Sequence, residues 1–181
     1  MVIYRYDEAT KTISKHGATR TAPGAGPRHS TVHPNGEWVY IINELNGTIT
    51  VYQFDDTSGT LTDTQTVPTL PDDFNGTNTT AEIVISPDQR FLYGSNRGHD
   101  SIAHYQINPQ SGQLTFVART STEGEHPRNF TIDPTGQFLL VSNRDTDNVV
   151  IFRLDKATGT PIPTGQQLTL SMPMCIKIIA R

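Results

Sequence analysis

Hydrophobic and polar residues alternate in three stretches of this chain that follow one another at intervals of 53 and 47 residues. The stretches begin at Ile49, Ile102 and Val149, and apolar residues, many β-branched or aromatic, recur there at about every second position. Such alternation is typical of a β-strand with one buried face. Because no stretch shows helical periodicity beyond two turns, the sequence predicts an all-β chain.

The residues around these stretches repeat at the same intervals. A short apolar run ends at a turn proline, and proline both presets the turn and removes a ladder donor. These prolines are Pro34, Pro87 and Pro134. After a longer apolar run and the alternating run, a glycine turn leads into a fourth, more polar strand. These glycines are Gly59, Gly112 and Gly159.

Four short strands in a repeat of nearly 50 residues are typical of a β-propeller blade. A β-sandwich is the alternative, but sandwiches do not repeat their sequence at fixed spacing. The chain is predicted to be a single partial propeller of about three and a half four-stranded blades. We expect the end of a blade at 1–25, whole blades at 26–70, 79–122 and 126–170, and a closing strand at 172–179.

Composition and charge limit the classes of partner that the chain could bind and the compartment in which we expect it. With 14 Lys and Arg against 18 Asp and Glu, the formal net charge of −4 offers no basic excess for binding nucleic acid. No run of 18 apolar residues is present, so no transmembrane helix or membrane partner is expected. The start of the chain becomes polar too soon for a signal peptide, and the single cysteine, Cys175, fits a reducing cytoplasm. The histidines lack metal-ligand spacing, so no metal or other cofactor is expected.

Charged positions that differ between repeats are the candidates for function. Asn43, Asn96 and Asn143 recur in every repeat, so we interpret them as turn or ladder-capping residues. In antiparallel strands, the entry to the innermost strand and the exit of the next lie on one rim. The charged or polar residues at those points should therefore surround a central funnel: Arg28, His29, Glu44, Glu82, Arg97, Arg128 and Arg144.

Four arginines in one concavity favour an anionic ligand, because the guanidinium fork matches phosphate and carboxylate oxygens. The alternative is that these arginines bond backbone carbonyls or pair with Glu44 and Glu82. Sequence alone leaves both interpretations open.

Several motifs, taken together and in order, resemble the seven-bladed β-propeller lactonase family, which includes the propeller-type 6-phosphogluconolactonases and the fungal carboxy-cis,cis-muconate cyclases. The resemblance covers essentially the whole chain but only the C-terminal half of a family member. The motifs are Gly24-Ala25-Gly26-Pro27-Arg28-His29, His33-Pro34-Asn35-Gly36, Asn43-Glu44-Leu45, Ala81-Glu82-Ile83, Ser95-Asn96-Arg97-Gly98-His99-Asp100-Ser101-Ile102, Pro127-Arg128-Asn129-Phe130-Thr131-Ile132-Asp133-Pro134-Thr135-Gly136 and Pro173-Met174-Cys175-Ile176.

The resemblance implies roles for several of these residues. In the cyclase branch, the Arg of Pro-Arg-His, the Glu of Asn-Glu and the Arg of Asn-Arg-Gly are proposed catalytic groups, which here are Arg28, Glu44 and Arg97. A histidine from an earlier blade completes that set and has no counterpart in this chain. For lactone hydrolysis, Glu44 would activate water and an arginine would stabilise the oxyanion. The expected substrate-binding residues are Arg128, Arg144, His29 and Glu82.

The implied function is hydrolysis of 6-phospho-D-glucono-1,5-lactone to 6-phosphogluconate in the pentose phosphate pathway, by a truncated form of the enzyme in the cytoplasm. A carboxymuconate-type lactonizing cycloisomerase and a non-catalytic propeller fragment or binding module are the alternatives. The expected small-molecule partner is an anionic sugar lactone. The incomplete ring also predicts self-association or pairing with an N-terminal half, because it leaves blade faces uncovered.

Overall fold

The computed structural model describes residues 1–179, which form fourteen β-strands. The strands build three four-stranded sheets and one two-stranded sheet, and every neighbouring pair is antiparallel. Each sheet follows chain order from its innermost to its outermost strand. In the described part of the chain, no helix is long and apolar enough to cross a membrane. The all-β propeller prediction is confirmed.

We call the two-stranded sheet the half blade and the others the first, second and third blades. The half blade contains β1 (Val2–Asp7) and β2 (Thr12–Ala18). The first blade contains β3 (Pro27–Val32), β4 (Trp38–Asn43), β5 (Thr48–Asp55) and β6 (Thr60–Pro68). The second blade contains β7 (Thr79–Ile85), β8 (Phe91–Arg97), β9 (Ser101–Ile107) and β10 (Leu114–Ser121). The third blade contains β11 (Pro127–Ile132), β12 (Phe138–Asn143), β13 (Asn148–Leu154) and β14 (Pro161–Thr169).

The core lies between successive blades. Every residue of β4 and β8 is buried. The first and third blades cover the two faces of β8, whereas β4 packs on the second blade through one face and on Met1, Phe54 and Leu61 through the other. The outermost strand β14 is exposed at every position after Pro161. We call the contact between the first and second blades the first junction, and that between the second and third blades the second junction. Each is filled by one apolar cluster.

The innermost strands begin earlier than the apolar pattern predicted. We expected Arg28, Ala81 and Arg128 to precede the strands, but β3, β7 and β11 already include them. The pairing register of each strand shifts at this point, between Pro27 and His29 in β3 and at the equivalent place in the others. Such β-bulges change the direction in which side chains point and are frequent beside active sites.

Two parts of the chain lie at the open ends of the blade stack. Residues 173–179 form no strand, although the sequence pattern predicted one at 172–179. A lone segment becomes a strand only when a neighbour supplies ladder hydrogen bonds. Within residues 1–179 this one forms a single hydrogen bond, from the Ile176 N–H to the Asn129 side chain (2.8 Å). At the other end, an apolar cavity of about 660 Å³ opens between the half blade and the first blade.

Candidate active site

The β-bulges of the three innermost strands place charged side chains around one open cavity of about 680 Å³. The cavity lies where the innermost strands enter the sheets, on the rim that the sequence predicted. It is lined by residues of all three blades and of the segment that follows β14: Arg28, His29, Ser30, Glu82, Arg128, Asn129, Met174, Cys175 and Lys177. Four of the seven predicted site residues are among them.

Glu44 and Arg97 form an ion pair across the first junction, beside this cavity. Arg97 Nη2 donates to Glu44 Oε1 and also to the Thr80 carbonyl oxygen at 2.7 Å. The Arg97 side chain is only 6% exposed, whereas that of Glu44 is 34% exposed. Arg28 approaches the same Glu44 oxygen with its Nε at 3.9 Å. The structure therefore brings together the three residues to which the resemblance gave catalytic roles.

These contacts also agree with the alternative interpretation of the arginines. Arg28 Nη1 donates to the Ala81 carbonyl oxygen at 2.7 Å, so both Arg28 and Arg97 bond backbone carbonyls of the second blade as well as approaching Glu44. Burial lowers the pKa of Arg28, and the neighbouring charge of Arg97 adds to that effect. An arginine held among other cations gains from an anionic ligand that offsets their charge.

His29 and Glu82 form a second polar pair, which lines the cavity. His29 Nδ1 lies 2.9 Å from Glu82 Oε1. The other carboxylate oxygen, Glu82 Oε2, accepts from the side-chain Nδ2 of Asn129, and the side-chain Oδ1 of Asn129 accepts from the Ile176 N–H. Residues 29, 82, 129 and 176 are separated by the repeat intervals and form one hydrogen-bonded chain around the rim.

Arg128 and Arg144 differ in their surroundings. Within residues 1–179, Arg128 forms no ion pair, and it lines the cavity together with the exposed Lys177. Arg144 instead pairs with its neighbour Asp145 through Nε and Nη2 and is not among the residues that line the cavity. The structure therefore brings Arg128 to the cavity and leaves Arg144 beside it.

Sequence reasoning missed three residues of this rim. Lys177 and Asn129 line the cavity, and Asn129 could have been found because it occupies the repeat position of His29 and Glu82. His126 lies behind them, 3.4 Å from Asp145, and its backbone has a positive φ of 59° just before Pro127. Burial and the charge of Arg144 lower the pKa of His126. In the described residues no group of three or more histidine, cysteine or acidic side chains is arranged to hold a metal ion.

Comparison with known proteins identifies the family to which the chain belongs. A family profile described as "Lactonase, 7-bladed beta-propeller" matches residues 1–178. A Bacillus subtilis protein named 6-phosphogluconolactonase is 39% identical over 177 residues, covering 98% of this chain and 51% of that protein. A Formosa agariphila protein of the same name is 42% identical over 163 residues, covering 88% of this chain and 45% of that protein.

A solved structure gives the same result. The structure of a Pseudomonas aeruginosa periplasmic gluconolactonase superposes with a TM-score of 0.88 at 33% identity, covering 98% of this chain and 50% of that one. The chain thus spans about half the length of the relatives it matches. With its repeated blades, its cation-lined rim and this match along its length, the chain belongs to the seven-bladed β-propeller lactonase family.

Proposed function

We propose that this chain carries the C-terminal half of the active site of a lactone hydrolase that converts 6-phospho-D-glucono-1,5-lactone to 6-phosphogluconate. The single observation that carries the proposal is the cavity that Arg28, Arg128 and Lys177 line beside a histidine–carboxylate pair. The name 6-phosphogluconolactonase of the two relatives supports the substrate, and the cavity chemistry suits it, because the substrate carries a phosphate and its product adds a carboxylate.

Each predicted site residue has a place in this proposal. Arg28 stabilises the negative charge that develops on the carbonyl oxygen during water attack, and the buried Arg97 holds Glu44 beside it. Arg128, assisted by Lys177, binds the phosphate, and His29 and Glu82 contact the reacting end of the substrate. Glu44 belongs to the same catalytic group, in which its ion pairs fix the two arginines. Arg144 is assigned a weaker part in binding because Asp145 already neutralises it.

Pairing with an N-terminal half is part of the proposal. Two copies of this chain would supply 2 × 14 = 28 strands, as many as seven four-stranded blades, but both half blades consist of outer strands and so cannot combine into one blade. An N-terminal half fits better, because it can supply inner strands for the half blade and cover the apolar cavity beside it. That cavity is walled by Val39, Ile41, Phe54 and Leu61. A cytoplasmic location completes the proposal and accords with the lone Cys175, although one structural relative is titled periplasmic.

The test is hydrolysis of 6-phosphogluconolactone above its spontaneous rate. The chain is assayed alone and after co-expression with the N-terminal half of the Bacillus subtilis relative. We expect hydrolysis in the reconstituted ring, and a KM about 10-fold higher after Arg128→Ala, which removes a phosphate ligand. The KM for the unphosphorylated lactone should change less.

Arg144→Ala is the matched control, because Arg144 also stands on the rim but is paired with Asp145. Its KM should stay within about 2-fold of the wild-type value. A folded, ring-sized complex that does not exceed the spontaneous rate would contradict the proposed function.

A further inference from the structure

We propose that His29 is the general base that activates water in this site, and that Glu82 positions it. This inference rests on the proposed function and changes the role of both residues from binding to proton transfer. It also gives Glu44, the base implied by the family resemblance, a different task. Three features of the structure carry it: the contact of His29 with Glu82, the anchoring of Glu82 and the ion pairs of Glu44.

His29 presents one ring nitrogen to the cavity. Its Nδ1 lies 2.9 Å from Glu82 Oε1, and an ionised carboxylate can only accept, so Nδ1 carries the proton. The neutral imidazole then has its lone pair on Nε2, the tautomer needed to take a proton from water. The side chain of His29 is 42% exposed and lines the cavity, so that lone pair is accessible to a bound water.

Arg28 contacts the face of this ring. Its Nη1 lies 3.3 Å from His29 Nδ1 and 3.2 Å from His29 Nε2, nearly the same distance from both nitrogens. A donor in the ring plane at these distances would overlap the carbon between the two nitrogens, so Nη1 lies above the plane and off the direction of the Nε2 lone pair. The same Nη1 also donates to the Ala81 carbonyl oxygen at 2.7 Å. Arg28 therefore stays close to the reacting atoms as an electrophile while His29 keeps its basic nitrogen.

Glu82 is held firmly enough to orient the imidazole. Its Oε1 accepts from the Ile83 N–H at 3.2 Å and its Oε2 accepts from the Asn129 amide, while its side chain is only 16% exposed. Asn129 is fixed in turn by the Ile176 N–H. The orientation of the His29 ring thus depends on contacts from all three blades and from the segment after β14. Because Glu82 acts through the imidazole, it is a positioning residue.

Glu44 is poorly suited to act as the base. Its Oε1 accepts from the buried Arg97 and lies 3.9 Å from Arg28 Nε, so two guanidinium groups already surround that oxygen. Glu44 also stands outside the set of residues that line the cavity. Its contacts suit a residue that fixes the two arginines.

The proposed step balances in atoms and electrons. The oxygen of a water forms a bond to the lactone carbonyl carbon while His29 Nε2 takes one of its protons, and Arg28 stabilises the oxyanion. The bond between that carbon and the ring oxygen then breaks with its electron pair on the ring oxygen. His29 returns the proton to this oxygen, which leaves a hydroxy acid and a neutral imidazole.

The experiment uses the chain reconstituted with the N-terminal half of the Bacillus subtilis relative. His29→Ala should lower kcat by about 10²–10⁴-fold, the usual contribution of a general base. Exogenous imidazole should restore part of that rate, which it could not do for a residue that only supports the fold. Glu82→Gln keeps an acceptor for Nδ1 without its charge and should lower kcat at least about 10-fold with little change in KM.

His99→Ala is the matched control, because His99 is a partly buried histidine outside the cavity whose Nδ1 contacts Ser101 Oγ at 2.8 Å. It should keep the wild-type rate and show no imidazole effect. Thermal unfolding of each variant checks that the rings are intact.

The outcomes separate the inference from the proposed function. If wild-type rings hydrolyse the lactone but His29→Ala keeps most of the rate and Glu44→Gln loses it, His29 is not the base and the proposed function stands. Loss of rate in His29→Ala without imidazole rescue, or with KM rising and kcat unchanged, would also overturn the inference. If wild-type rings show no hydrolysis, the proposed function itself fails.

Discussion

The two junctions between blades share one framework and differ at their polar positions. In the first junction the Tyr40 hydroxyl donates to the Gly112 carbonyl oxygen at 2.9 Å, and in the second the Tyr93 hydroxyl donates to that of Gly159 at 2.8 Å. Each glycine also packs closely against an aromatic ring of the preceding blade, Trp38 or Phe91. Repeated sequence has therefore produced repeated packing.

The rim above this framework does not repeat. The first junction carries the Glu44–Arg97 and His29–Glu82 pairs between blades. At the second junction the corresponding partners are different: Glu82 meets Asn129, and Arg144 turns to Asp145 in its own blade. Departures from the repeat thus lie where the candidate chemistry lies, which separates residues that build the propeller from residues that we propose to act on a ligand.

The junctions also differ inside the core. The second blade has His104 where the first blade has Val51, and both side chains face the next blade. His104 is fully buried and stacks on Tyr93 with ring centroids 5.5 Å apart. Within the described residues neither of its ring nitrogens has a hydrogen-bond partner. The second junction is therefore the one whose packing depends on a titratable group.

Substitution of the packed glycines should break both junctions and give the largest loss of stability. In Gly112→Ala and Gly159→Ala, the new Cβ would lie 2.4 and 2.7 Å from ring atoms of Trp38 and Phe91, at a positive φ. We expect each to lose about 2–4 kcal/mol in the free energy of unfolding, measured by urea denaturation. Gly165 is the control, because it has a φ of +72° and no heavy atom near its Cβ position.

Gly165→Ala should therefore lose only about 1 kcal/mol, the cost of the backbone conformation alone. Equal losses of unfolding free energy in Gly112→Ala and Gly165→Ala would show that the contact between blades at Gly112 contributes little to stability.

Removal of the rim carboxylates should affect the junctions unequally. Glu44→Ala leaves the buried Arg97 with the Thr80 carbonyl oxygen and no anion, so we expect a loss of about 1–3 kcal/mol in unfolding free energy. Asp145→Ala removes the partner of the more exposed Arg144, and its loss should stay below about 1 kcal/mol. A larger loss for Asp145→Ala than for Glu44→Ala would contradict the distinction between the rim residues of the two junctions.

The two interblade tyrosines test whether the shared framework is energetically the same in both junctions. Tyr40→Phe and Tyr93→Phe each remove one hydrogen bond to a glycine carbonyl and leave the ring in place. We expect both to lose about 1 kcal/mol, measured as a shift in the urea midpoint with an unchanged slope. Losses that differ by more than about 1 kcal/mol would show that the junctions are not equivalent below the rim.

The buried histidine should make stability depend on pH through the second junction. Burial lowers the pKa of His104 from its ordinary value of 6.5, so the unfolded chain binds the proton more readily than the folded one. Stability is therefore fully present above about pH 6.5 and falls as the pH drops below it toward the folded pKa. Unfolding free energies at several pH values between about 5 and 8 should show this loss in the wild type.

His104→Val introduces the residue type found at the matching position of the first blade and should flatten that pH dependence. A residual slope of the same sign should remain from His126, whose pKa is also lowered by burial and by Arg144. An unchanged slope in His104→Val would show that His104 is protonated equally well in both states. Val51→Ala is not expected to alter the slope, since it removes no titratable group.

Much of the fold was predictable because a repeat provides its own internal evidence. The intervals of 53 and 47 residues place turns and strands at matching positions, and the positive φ at Gly36, Gln89 and Gly136 shows that even the turn conformation repeats. The closing strand was the exception, since residues 173–179 lack the neighbour that would make them one. Whether a segment forms a strand depends on a partner as well as on its own residues.

The candidate site was only partly predictable. Ring position was enough to bring Arg28, Glu44 and Arg97 together at one rim, because equivalent residues in a repeat occupy equivalent depths. It could not foresee that Arg144 pairs with its own neighbour, since a long, flexible side chain can turn either way. Nor could it foresee the exposed Lys177 at the cavity, which sits on a segment outside any strand.

The sequence by itself determined the all-β class, the propeller blades and the rim on which charges gather, because these follow from periodicity and from the repeat. Only the tertiary structure decided which charged side chains come into contact. The bulges that turn Arg28 and His29 toward the second blade, and the single hydrogen bond that selects the tautomer of His29, depend on distances of a few ångströms between residues 53 positions apart. No one-dimensional pattern contains those distances, because they arise from how the blades pack against one another.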